Sequence, residues 1–182
     1  FGIDFIYDDT TREIFPLECN PRFTGALPVY SLMIMAQSTP PLEFFHLMTH
    51  SDITTFFDFN RINQLLKQRS SVAHISLTPK GIFEMKMPLA AGVYSYNHHG
   101  RILRFERPGA FLWELKNDNE FLLIDSVPYE GQKVIQNVPR LFKLIFPQAI
   151  ANSSYSINER VGELITHLST ALRKNQNLHI EQ

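Results

Sequence analysis

Three hydrophobic rhythms follow one another along the chain, and each predicts a different kind of element. Residues 1–7 (FGIDFIY) are apolar and aromatic apart from one carboxylate, and 14–19 (IFPLEC) are apolar apart from another. Asp8-Asp9-Thr10-Thr11-Arg12 between them is turn chemistry, so the opening predicts a β-hairpin. Residues 26–37 (ALPVYSLMIMAQ) are apolar nearly all round. That predicts a buried helix with Pro28 in its first turn and with Met33 and Met35 as core filler. Thr39 then reads as an N-cap, with Pro40 and Pro41 opening a second helix over 42–49. In 58–69 (DFNRINQLLKQR), Phe59, Ile62, Leu65 and Leu66 share one helical face, with Asp58 as the cap.

Past Ser70-Ser71 the period shortens. VAHISLTP, GIFEMKM, GVYSYNHHGRILRFE, FLWEL and EFLLIDSV read as short strands with turn signals between them, an antiparallel region of about five strands. Asn97-His98-His99-Gly100 is a hairpin loop with Gly100 free to take positive φ, and 116–119 is another loop. Gly131 closes the sheet region. A short helix follows from 137 to about 146, stopped by Pro147. Ser156, with Glu159 completing a capping box, opens a last helix over 157–175. Val161, Leu164, Ile165, Leu168 and Leu172 form its apolar face. Residues 176–182 read as a frayed tail. The expectation is an α+β chain divided into residues 1–70 and 71–182, the second part being a small antiparallel β subdomain with terminal helices.

Composition narrows the function classes. The 182 residues are 44% hydrophobic, enough to build a core, and the formal net charge of −1 gives no basis for a nucleic-acid or anionic-membrane partner. A single cysteine excludes an internal disulfide framework and fits a reducing, cytoplasmic setting. No apolar run approaches the roughly 20 residues that span a bilayer, and no basic stretch leads into an apolar one as in a secretory signal. The apolar 26–37 segment needs cover, and a second copy of the chain could supply it, so a homodimer is one expectation.

The chemistry concentrates on the opening hairpin. By strand alternation Glu18 and Asn20 project from the same face as Ile14 and Pro16, and a register setting Asp4 opposite Glu18 gathers two carboxylates and an amide there, with Arg22 just beyond. Like charges facing each other across a strand pair repel unless something positive lies between them. A hard cation such as Mg²⁺, sharing its shell with water and phosphate, is the chemical solution. An ordinary solvated acidic face is the structural one. Parity turns Cys19 away from this face, into the core as a small hydrophobe.

Glu18-Cys19-Asn20-Pro21-Arg22, with Asp4 on the preceding strand and Thr24-Gly25 following, resembles the C-terminal metal-binding hairpin of the ATP-grasp superfamily. Its members are mostly ATP-dependent carboxylate–amine ligases. The resemblance covers about residues 1–50. It implies that Asp4, Glu18 and Asn20 hold the Mg²⁺ (or Mn²⁺) ions of MgATP, Glu18 as the bridging acid, and that Arg22 steadies phosphate or acyl-phosphate oxygens. It further implies ATP and a small carboxylate as ligands, with the carboxylate activated as an acyl phosphate for attack by an amine. Residues 1–70 would be the C-terminal part of the ATP-grasp domain. The nucleotide-holding lysines would lie upstream in a longer polypeptide, leaving this chain inactive alone. A non-catalytic interaction or regulatory module on the same scaffold is the alternative, and two-metal hydrolysis would need more carboxylates.

The other polar clusters favour plainer readings. His46 and His50 have a zinc-compatible spacing without the intervening acid of a metalloprotease helix. His98 and His99 read as a polar turn. Arg101, Arg104 and Arg107 could border an anionic pocket but read more simply as solvated strand residues, and Trp113 reads as a core or subdomain anchor.

Overall fold

In a computed structural model, residues 2–20, 24–51, 58–67, 71–79, 81–86, 89–97, 99–135, 141–152, 156–174 and 180–181 are described. The chain is mixed α+β and divides into two compact units, Phe1–Asp58 and Phe59–Gln182. The break falls before the third helix rather than at 70/71, which groups that helix with the sheet region.

The first unit opens with β1 (Gly2–Asp8) paired antiparallel to β2 (Glu13–Asn20). Asp8 builds the turn: its carboxylate accepts the backbone N–H of Thr10 at 2.8 Å and of Thr11 at 3.3 Å, and its carbonyl accepts that of Arg12 at 2.7 Å. Arg12 takes the left-handed conformation (φ 58°) that closes the loop. Helix α1 (Leu27–Met35) has its proline in the first turn, as expected. It is buried only at Val29, Ser31 and Ile34, so the continuous apolar pattern overstates its cover. Its C-terminus closes through Thr39 N–H to the Ile34 carbonyl at 3.1 Å, with Ser38 at φ 58°, a Schellman geometry. Thr39 thus ends one helix rather than capping the next. Helix α2 (Leu42–Thr49) starts behind Pro41 with no side-chain cap, and Ser31 of α1 donates a 2.5 Å hydrogen bond to Glu43 of α2.

The second unit begins with α3 (Phe59–Leu66), whose Ile62 and Leu65 are half-buried among exposed polar neighbours. Six strands then form one sheet: β3 (Ala73–Leu77), β5 (Gly92–Asn97), β6 (Ile102–Arg107), β7 (Glu120–Ile124), β9 (Phe142–Phe146) and β10 (Ile180–Glu181). A two-stranded ribbon pairs β4 (Phe83–Glu84) with β8 (Lys133–Val134). The sheet order is β10-β6-β5-β7-β9-β3, antiparallel except where β10 runs parallel to β6. Helix α4 (Glu159–Lys174) buries Val161, Leu164, Leu168 and Leu172, as its period foretold. These side chains form one core with Tyr94, Tyr96, Phe121, Leu123, Phe142, Leu144 and Phe146. The opposite sheet face is buried too, along the cross-strand row Val93, Leu122 and Ile145.

Several expectations give way here. Residues 142–146, read as the end of a helix, are a strand deep in the sheet, and 137–140 lie outside the described residues. FLWEL is a 3₁₀ turn (Leu112–Glu114), not a strand, because the Glu114 carboxylate accepts the backbone N–H groups of Ala110 and Phe111 at the start of the segment. Gly131 does not end the sheet region, since β8, β9 and β10 follow. The tail contributes β10, while 175–179 lie outside the described residues. Asn158, not Ser156, caps α4, accepting the Val161 N–H at 3.0 Å. In the β5–β6 loop the left-handed residue is Arg101 (φ 52°), not Gly100.

Candidate functional site

The hairpin delivers the expected juxtaposition. Asp4 pairs directly with Glu18, and Gly2 with Asn20. Partners across a ladder share a face, and along a strand alternate residues do, so Asp4, Glu18 and Asn20 lie together. The Asn20 amide nitrogen bridges the acids, donating to Asp4 Oδ2 at 3.0 Å and to Glu18 Oε1 at 3.2 Å. Both carboxylates are exposed and Asn20 is half-buried. Beside them the Thr24 methyl rests on Gly2: a Cβ there would lie 2.5 Å from Thr24 Cγ2.

A bulge changes the rest of the face. Phe5 pairs with Pro16, so the register slips between Asp4 and Phe5 and Leu17 is left without a partner. Consecutive residues Asp4 and Phe5 point to opposite sides, and their partners Glu18 and Pro16 must do the same. Pro16 and Ile14 therefore lie on the face away from the carboxylates, correcting simple parity. That second face reads Ile3, Phe5, Tyr7, Ile14, Pro16 and Cys19 without a charge. Cys19 points away from the acids as expected, but it is exposed rather than in a core. Ile3, Phe5, Tyr7 and Ile14 are 43%, 55%, 55% and 64% exposed.

The donor set fits a hard cation in composition. Two carboxylate groups and an amide match the few protein oxygens that magnesium takes, its remaining positions going to water and phosphate. The amide now presents its nitrogen to both acids. Its terminal torsion is broad and two-fold, so turning end for end would offer Oδ1 instead. Among the described residues no group of three or more His, Cys, Asp or Glu side chains is placed to hold a metal. The rings of His46 and His50 meet edge-on, with centroids 4.8 Å apart. Arg22 and His98 lie outside the described residues, and His99 is exposed.

The basic residues of β6 do not form a patch. Arg107 is bound twice by Glu120, Nη1 to Oε1 at 2.9 Å and Nη2 to Oε2 at 2.6 Å, and also donates to the Glu114 carbonyl. Glu120, 5% exposed, accepts the Lys116 backbone N–H at 2.7 Å as well. The Arg107 hydrogen bonds hold the Glu120 carboxyl below its ordinary range, more strongly than burial raises it. Arg107 is thus a structural ion-pair partner rather than a solvated residue. Arg104 is exposed, with its Nε 3.9 Å from Glu106. Trp113, expected as an anchor, is exposed and stacks on Phe111 at 4.3 Å between ring centroids.

Sequence reasoning missed a polar groove on the second unit, formed where β5, the turn at 101 and α4 meet. No spacing signals it, because its residues come from three separate elements. Among the described residues no helix is long and apolar enough to cross a membrane. No protein-family model, curated protein or solved structure matches the chain.

Proposed function

We propose that the Asp4, Glu18 and Asn20 face binds Mg²⁺ (or Mn²⁺) together with the triphosphate of ATP, as part of an ATP-grasp carboxylate–amine ligase. The observation that carries this reading is the cross-strand pairing of Asp4 with Glu18 under one shared amide. Two acids kept face to face on an exposed hairpin cost stability unless a cation joins them. Asp4 and Glu18 supply anionic oxygens, Asn20 turns its amide oxygen inward, and Arg22 adds charge toward phosphate oxygens. The bound ions supply positive charge that stabilises phosphoryl transfer. The substrate carboxylate takes the terminal phosphoryl group from ATP, releasing ADP. An amine then attacks the acyl carbon, and inorganic phosphate leaves.

The direct test is paramagnetic broadening by Mn²⁺ in the labelled chain, with and without ATP. Resonances of Asp4, Glu18 and Asn20 should broaden first, and Mg²⁺ should reverse the effect. Glu18→Gln should abolish the response and raise the melting temperature in metal-free buffer by relieving the repulsion. Equal broadening in wild type, Glu18→Gln and Asp4→Asn would sink the proposal.

The uncharged second face of the hairpin favours the other reading, an interaction module. Apolar side chains this exposed and contiguous mark surfaces that meet another chain, and a homodimer through them is one form of it. Concentration-dependent sedimentation abolished by Phe5→Lys, without any Mn²⁺ broadening, distinguishes this reading from the ligase.

A further inference from the structure

The groove on the second unit has a volume of about 490 Å³ and is lined by Tyr96 of β5, by Arg101, and by Glu163, Thr166 and His167 of α4. Gly162 leaves part of it bare, since a Cβ there would meet nothing within 4 Å. Two observations separate it from solvated surface. Tyr96 is only 6% exposed, and among the described residues its phenol oxygen has no hydrogen-bond partner. His167, whose ring centroid is 6.0 Å from that of Tyr96, has a buried Nδ1 in the same condition. Buried polar atoms nearly always find partners, so two neighbouring orphans call for something that completes them.

Opposite charges border this neutral pair. Burial and then the Glu163 carboxylate push the Tyr96 hydroxyl above its ordinary pKa, while the Arg101 guanidinium opposes them. Burial and then Arg101 hold the His167 imidazole below its usual range, which favours the neutral ring with one nitrogen able to accept. A simple anion would suit Arg101 but meet Glu163, and a simple cation the reverse. The described residues also lack a cluster of three metal-ligating acids, histidines or cysteines here.

We propose that this groove binds a small zwitterion of the α-amino-acid class, with its carboxylate on Arg101, its ammonium on Glu163, and further polar atoms completing Tyr96 and His167. The volume lies within the range of small-molecule sites. The site belongs wholly to the second unit and does not depend on the hairpin chemistry.

The test titrates the isotopically labelled full chain with a millimolar mixture of the standard amino acids, and separately with acetate and with ethylamine. Amide shifts should cluster at Arg101, Glu163 and His167 with the mixture and saturate, and neither single-charge probe should reproduce them. Arg101→Met and Glu163→Gln should each weaken binding by about tenfold or more, the scale of one charge-assisted hydrogen bond. Tyr96→Phe should weaken it severalfold while the melting temperature holds or rises. Gly162→Leu, which improves the helix and fills the groove, should block binding in a chain that still gives a dispersed spectrum. Silence of the groove toward the whole mixture, meaning that water alone fills it, overturns the proposal. So does an equal response to acetate or ethylamine, or undiminished binding in the Gly162→Leu chain.

Discussion

Arg107 and Glu120 show how a single pair can set the pH behaviour of a fold. Glu120 is almost fully buried and owes its charge to two hydrogen bonds from one guanidinium. Removing the arginine leaves only the Lys116 backbone N–H on that charge, and breaking a buried pair costs about 3 kcal/mol or more. Because the folded pKa of Glu120 is depressed, its stabilising contribution is fully present above the unfolded value of about 4.3 and is lost as pH falls through the folded value. Arg107→Met should therefore be destabilised by about 3 kcal/mol at pH 7. The gap to wild type should narrow as the buffer is taken below about pH 4. Urea midpoints measured across that range test it, and a gap independent of pH would mean that Arg107 acts by packing alone. Asp4 and Glu18 present the opposite case. They are exposed, face each other, and share only an amide donor, an arrangement that suits binding better than it suits stability.

At the scale of elements, the reading from sequence succeeded where a period was long or a turn was chemically marked. The hairpin, α1, α2 and α4 were legible, as was the Asp4–Glu18 register, because Asp8 and its threonines announce the turn and the 3.6-residue stripe of α4 runs its whole length. The bulge at Leu17 was not, since nothing in IFPLEC says which residue goes unpaired. β9 failed for a different reason. FKLIF is buried on both faces, Lys143 included at 2% exposure, so it lacks alternation, and a short continuous apolar run looks the same in a helix and in an inner strand. Lys143 escapes its apolar surroundings through Asp125, 3.4 Å away, a partner no local pattern could name. A serine or threonine ahead of a helix is no sure cap, as Thr39 and Ser156 show. At the end of α1, Ser38 sits at φ 58°, which a side chain adopts only at a cost. Ser38→Gly should thus stabilise the chain by about 0.5–1 kcal/mol, the glycine's greater freedom when unfolded offsetting part of the gain. A thermal midpoint that falls instead would show that the Ser38 side chain contributes more than its backbone strain removes.

The two units differ in how far they can stand alone. The second carries a continuous core in which α4 packs on one sheet face, and Val93, Leu122 and Ile145 are buried on the opposite face. In the first, only Val29, Ser31, Ile34 and Thr39 are buried among the described residues, while the hairpin exposes large apolar side chains on both faces, Ile3, Phe5, Tyr7 and Ile14 on the one away from its acids. A domain of about 60 residues is marginal even when it buries its apolar surface well, and this one does not. Residues 59–182 produced alone should therefore unfold cooperatively and keep a dispersed amide spectrum, whereas 1–58 alone should remain unfolded or self-associate. Circular dichroism melts of the two fragments decide it. A cooperative transition in 1–58 would show that the hairpin and its helices are stable without further cover, which would remove the physical reason for expecting another surface against Ile3, Phe5, Tyr7 and Ile14. If 1–58 instead folds only when joined to more chain, metal binding at Asp4 and Glu18 has to be measured in the intact protein. In the unfolded fragment nothing holds those two residues in register, and a weak affinity there would carry no weight against the cation site.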